Sequence, residues 1–218
     1  MAERLLFVQN ADFERPGWLE DWARSRGFDV SLCRPRDEGL PAPPSRVIVL
    51  GAPESVRDLA KLPWLEREAD WLRRAIAGGT RVLGVCLGAQ LVAHLLGGEV
   101  KDGAYAEIGW LPFEWRGERF PLFQWHREIF TLPPGAEPFG GEPLRGFRLG
   151  AVWALGGHPE ITPELAREFV RRCWSESWYA AQTDTRFVQR PEVLERTADA
   201  ACAAGRSGIT ALLDEWAK

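Results

Sequence analysis

The segment Arg81-Val82-Leu83-Gly84-Val85 runs into Leu87–Leu96 across a single cysteine, Cys86, with Gly84 and Gly88 two residues to either side. The first piece reads as a buried strand and the second as the helix after it, so Cys86 falls at the joint. Such a turn is sharp and strained, and it needs neighbours without bulky side chains. Gly-x-Cys-x-Gly is the cysteine form of a nucleophile elbow. The turn lifts the side chain above the sheet edge and aims the N-terminus of the helix at it. That field is expected to lower the pKa of the thiol, and the Leu87 N–H becomes a donor for an oxyanion.

The same alternation extends through much of the chain. RLLFVQ (4–9), FDVSL (28–32) and RVIVLG (46–51) read as strands. Trp18, Leu19, Trp22 and Ala23 fall at helical spacing ahead of Gly27, and a second helix opens at Pro63 and closes at Gly78-Gly79. Strands alternating with helices predict an α/β fold, with a mostly parallel central sheet flanked by helices. Residues 99–155 lose the rhythm: EIGWLPFEW and FTLPPG read as short antiparallel strands and turns, a small antiparallel insertion. Helix returns over 162–174, with Thr162 as N-cap and Pro163 at the first helical position. The tail from Pro191 to Lys218 reads as two further helices. No repeat or linker divides the chain, and residues 1–218 are expected to form one domain.

Composition narrows the function classes. A net charge of −4 with no Lys/Arg cluster gives no electrostatic case for nucleic acid. No stretch approaches the roughly 20 apolar residues that span a bilayer, and the N-terminus lacks the pattern of a signal peptide, so no membrane association and a cytoplasmic location are expected. Cys33, Cys86, Cys173 and Cys202 are widely separated, with no CxxC pair, and all but Cys86 are expected to be small buried hydrophobes. No metal-ligand cluster and no G-x-x-x-x-G-K-[ST] loop is visible, so neither metal nor cofactor is expected. Several of the eleven tryptophans sit at helical spacing and are expected in the core.

A nucleophilic thiol needs a base, and the base needs an orienting group. The chain has three histidines. His94 lies about two turns past the elbow and is expected to be a packed or surface residue. His126 lies in the irregular region. His158 is followed by Pro159 and Glu160. In an extended chain residues two apart point the same way, so His158 and Glu160 can face one pocket, the carboxylate fixing the imidazole.

Cys86 in GVCLGAQ, followed by HPE at 158–160, resembles the class I (triad) glutamine amidotransferases. VIVLGAPESVRDLAKLPWLEREADWL (47–72) resembles that family's glycine turn and the helix after it. EIGWLPF and FQWHREIFTLPPGA resemble the central strands of its free-standing members, those similar to the glutaminase part of GMP synthetase. The resemblance implies a Cys86–His158–Glu160 triad and an oxyanion hole from Leu87 and the Gly51-Ala52 turn. It implies glutamine contacts from Gln90, a position near the substrate mouth for His126, and a substrate-holding role at Phe147. The implied reaction is hydrolysis of the glutamine side-chain amide through a γ-glutamyl thioester, the ammonia passing to a separate synthetase.

Three departures mark the surroundings of that triad. The glycine turn reads Gly51-Ala52-Pro53 where the family has Gly-Gly-Pro, Gly156 stands where Gln is usual, and the family's Gln-x-Phe is Arg145-Gly146-Phe147. Two other functions therefore stay open: a free-standing hydrolase of a larger γ-glutamyl amide, and a binding homologue that lost turnover.

Overall fold

The computed structural model describes residues 2–174, 181–182 and 186–218. Along the chain come β1 (Arg4–Val8), α1 (Trp18–Ser25), β2 (Asp29–Cys33), β3 (Arg46–Val49), α2 (Pro63–Ala77), β4 (Arg81–Val85) and α3 (Leu87–Leu95). Then follow β5 (Val100–Trp115), β6 (Glu118–Phe130), β7 (Glu137–Phe139), β8 (Gly146–Leu149), β9 (Val152–Leu155), α4 (Pro163–Cys173) and α5 (Pro191–Trp216). The central sheet has the order β2-β1-β3-β4-β9-β8-β7; the first five strands are mutually parallel, and β8 and β7 continue it antiparallel. The parallel part has the 2-1-3-4-5 order of flavodoxin-like folds.

Side chains alternate across this sheet. Val47, Val49 and Val82 pack with Leu65 and Leu72 of α2 and Leu91 of α3. Ile48, Leu83 and Val85 point the other way, onto Leu19 and Trp22 of α1 and Leu212 and Trp216 of α5. Both faces are thus covered, as the apolar strands require. Trp22, Trp71, Trp115, Trp125, Trp153 and Trp216 are buried, in line with a core role for most of the tryptophans. Among the described residues no helix is long and apolar enough to cross a membrane.

The small antiparallel insertion is present as a separate two-stranded ribbon, β5 paired with β6, its strands longer than expected and turning at Arg116-Gly117, both at positive φ. Of the FTLPPG piece only Phe130 belongs to a strand. The tail is one helix and not two. Gly205 and Gly208 lie inside α5 where β6 crosses it: a Cβ at 205 would stand 2.5 Å from the Pro121 carbonyl oxygen, and one at 208 would stand 2.1 Å from the Phe120 ring. These glycines permit close contact and do not end the helix.

Glu68 on α2 is fully buried, accepts a hydrogen bond from Asn10 Nδ2 at 3.1 Å, and has no partner for Oε2. Burial pushes its pKa from 4.5 up to about 8. Between those values the folded chain holds a proton that the unfolded chain has released, so stability falls as pH rises through that window. Glu68→Gln removes the titration. Its stability relative to wild type should grow by about 4 kcal/mol between pH 5 and pH 9, measured by urea denaturation. A difference independent of pH would contradict this.

Candidate active site

The carboxyl ends of β1, β3, β4 and β9 converge, and the loops leaving them carry Glu14, Gly51-Ala52, Cys86 and His158. Open α/β sheets place ligand sites at this edge. Cys86 has φ 52 and ψ −111, and with Arg116 it is one of the two non-glycine residues at positive φ among those described. The strain, of order 1–3 kcal/mol, is what an elbow demands. A Cβ at Gly84 would stand 2.5 Å from the Gly88 carbonyl oxygen, and one at Gly88 would stand 2.3 Å from the Val49 carbonyl oxygen. Only glycine at both positions lets α3 fold back this closely onto β4 and β3.

His158 and Glu160 are each 1 % exposed and joined by Nδ1 and Oε1 at 2.7 Å. They follow β9 in a turn, where His158 N–H donates to the Phe123 carbonyl at 2.8 Å. Burial disfavours the imidazolium, but Glu160 and Cys86 outweigh it and hold the His158 pKa well above its usual value. The ring lies near enough to Cys86 for the two to interact through charge and through a side-chain hydrogen bond, although Nε2 has no partner at strict hydrogen-bond geometry. Contacts of this kind are commonly loose before a substrate arrives. The thiol corrects the expectation of a lowered pKa: burial pushes Cys86 up, and His158 offsets this only in part. A sequence shows the helix terminus but not the desolvation that outweighs it.

Cys86, Leu87, Gln90, Ala52 and His126 line one cavity of about 260 Å³. Leu87 opens α3, where backbone N–H groups have no acceptor within the helix. The Gly51 backbone lies against Cys86, 3.1 Å separating a Cβ built at 51 from that of the cysteine. Ala52 is not at positive φ, so alanine in the turn carries no backbone strain. Gln90 Nε2 donates to the Glu128 carbonyl at 3.4 Å. His126 Nε2 lies 3.0 Å from Gln124 Oε1 and 3.6 Å from Glu107, and burial lowers its pKa to about 4. Phe147 is not brought to the cavity: its side chain is fully buried on β8 against Phe130. His94 is exposed, and all four cysteines are free and buried.

Several residues of the site escape the sequence reading. Phe13, Trp125 and Phe169 form an aromatic wall of the cavity. Arg145 is buried, pairs with Glu107 and donates to the Pro112 carbonyl at 2.8 Å, so the residue that departs from the family pattern ties β5 to the sheet edge. Glu14, in the loop after β1, also lines the cavity. One oxygen each from Glu14 and Glu160 and a ring nitrogen of His158 lie within 4.8 Å of one another, close enough to hold a cation. This corrects the view that the chain has no such cluster, since only folding unites the β1 loop with the segment after β9. The available signal was positional: an acidic residue in a loop leaving a parallel strand.

Residues 17–134 match the glutamine amidotransferase class-I family, and the chain belongs to that family. It is 30% identical over 196 residues to a putative glutamine amidotransferase-like protein of Salmonella typhimurium, covering 79% of this chain and 82% of that one. It is 30% identical over 154 residues to a glutamine-hydrolysing GMP synthase of Bradyrhizobium diazoefficiens, covering 59% of this chain but 26% of the synthase. A crystal structure of a glutamine amidotransferase from Methylobacillus flagellatus superposes with a TM-score of 0.87 at 26% identity, over 99% of this chain and 94% of the other.

Proposed function

We propose that this chain hydrolyses the side-chain amide of glutamine and releases ammonia to a separate synthetase. The observation that carries the reading is a strained cysteine at the head of α3 beside a buried His158–Glu160 pair. Cys86 gives its thiol proton to His158 as the sulfur attacks the carboxamide carbon, and the oxyanion is held by the Leu87 N–H and an amide of the Gly51-Ala52 turn. His158 gives a proton to the departing nitrogen, leaving a γ-glutamyl thioester. It then takes a proton from the water that hydrolyses the thioester to glutamate, and Glu160 stabilises the imidazolium. A cavity of about 260 Å³ suits one amino-acid-sized ligand. The partner is proposed because this chain matches about a quarter of the GMP synthase. Intact-protein mass spectrometry with a glutamine-mimicking electrophile tests the nucleophile. One adduct, mapped to Cys86 and slowed by free glutamine, is expected; an adduct elsewhere, or no competition by glutamine, would overturn the reading.

One observation favours the second reading, a hydrolase of larger γ-glutamyl amides. A Cβ at Gly156 would stand 3.4 Å from the Arg145 carbonyl oxygen, 3.7 Å from Phe130 and 3.8 Å from His126 Nε2, ordinary contacts, so nothing in the packing requires glycine at this position beside the site. Gly156→Gln should raise kcat/KM for glutamine relative to γ-glutamyl anilide by about tenfold. If wild type already turns over glutamine efficiently by itself and the ratio does not move, the enlarged pocket is ruled out.

A further inference from the structure

Glu14 is 4 % exposed, yet its carboxylate faces the reacting groups. Its Oε2 lies 2.0 Å from where a Cβ on Gly51 would be, so the glycine turn is shaped to admit it. It shares the cavity with Cys86, and one of its oxygens lies within 4.8 Å of both His158 and Glu160. The loop that carries it is fastened to the segment bearing the base. Trp18 N–H donates to the Glu160 carbonyl at 2.9 Å, and Gly17 presses so closely on that oxygen that a Cβ there would stand 2.3 Å away. Within this fixed frame Glu14 Oε2 has no hydrogen-bond partner.

A buried acceptor without a donor costs about 1–3 kcal/mol, and native structures rarely keep one without cause. The cost disappears if whatever enters the cavity brings an N–H. A primary carboxamide brings two on the atom that must face His158, which protonates it. Burial also pushes Glu14 up to about 7, and an N–H brought by a ligand would favour its charged, accepting form.

Resting on the amidase reading above, we propose that Glu14 contacts the substrate: its carboxylate accepts a hydrogen bond from the scissile carboxamide nitrogen and selects for an unsubstituted amide. The His158 proton passes to that nitrogen, the C–N electron pair leaves with it as ammonia, and the acyl group stays on Cys86. Glu14 gains and loses no proton. An N-alkyl substituent would replace the hydrogen that Glu14 receives and would collide with the carboxylate.

The test compares Glu14→Ala and Glu14→Gln with wild type on glutamine, γ-glutamylmethylamide and glutaramic acid, which lacks the α-amino group. Glu14→Ala should lower kcat on glutamine by about a hundredfold with KM little changed, and lower the methylamide rate by less than about tenfold, so that the preference collapses. Glu14→Gln keeps an acceptor oxygen and should keep the preference, with a loss of about tenfold. Alkylation of Cys86 by iodoacetamide should be no slower in either variant, because the Glu14 charge raises the thiol pKa. Equal losses on both amides, or slower alkylation, would overturn the proposal. So would a loss on glutamine that vanishes with glutaramic acid, which would mean that Glu14 holds the α-ammonium. A wild type inert toward both γ-glutamyl amides would overturn the amidase reading itself, whereas an active wild type with an unmoved ratio removes the Glu14 contact alone.

Discussion

Cys86→Ala should abolish hydrolysis while the fold survives. On the proposed mechanism the sulfur forms the covalent bond, and loss of a covalent nucleophile costs on the order of 10⁶ in kcat. Cys86→Ser should fall nearly as far, its hydroxyl being a far weaker nucleophile than a thiolate. The fold should hold because alanine keeps the Cβ, so the strain at φ 52 is unchanged and only a small cavity appears. Circular dichroism and ammonia release measured on one preparation decide the matter. Retained turnover in Cys86→Ala would remove the nucleophile from the mechanism, and an unfolded variant would make the cysteine structural.

The second large effect belongs to His158. His158→Ala should lower kcat by about 10³–10⁴, while His126→Ala should act mainly through KM. The two rings differ in charge at neutral pH. His158 is held well above its usual pKa, with burial opposed by Glu160 and Cys86, and so has a proton to give. Burial lowers His126 to about 4, leaving it neutral near pH 7 and unable to serve as the acid. His126 does line the cavity, so its removal should disturb binding. Steady-state kinetics on both variants is the measurement, and exchanged effects would move the base to His126.

What could be read in advance was local. The elbow shows itself because Gly84, Cys86 and Gly88 are adjacent in sequence, and His158 with Glu160 because two residues suffice to align them. The parallel strands were legible because their apolar runs are short and regularly interrupted by helices. The rest depends on distant partners. Gly205 and Gly208 look like helix breakers until Pro121 and Phe120 are seen against them. Phe147 stands where the family has its Phe, but its side chain joins the core. Arg145 reads as a lost substrate contact until Glu107 is found opposite it. The thiol pKa runs opposite to what the helix terminus suggests, because a helix terminus is visible in a sequence and desolvation is not. Glu14 offers only its position, an acidic residue in the loop after β1, until the fold sets it beside His158 and Glu160.

The contact between Gly17 and Glu160 has a consequence for heredity. Position 17 sits at φ 50 with the Glu160 carbonyl filling the space a side chain would need. Any missense change there is therefore felt in the segment that bears the proposed base, far along the chain. In a deep mutational scan position 17 should tolerate no side chain of any chemistry, because what it meets is a main-chain carbonyl that no substitution at 160 removes.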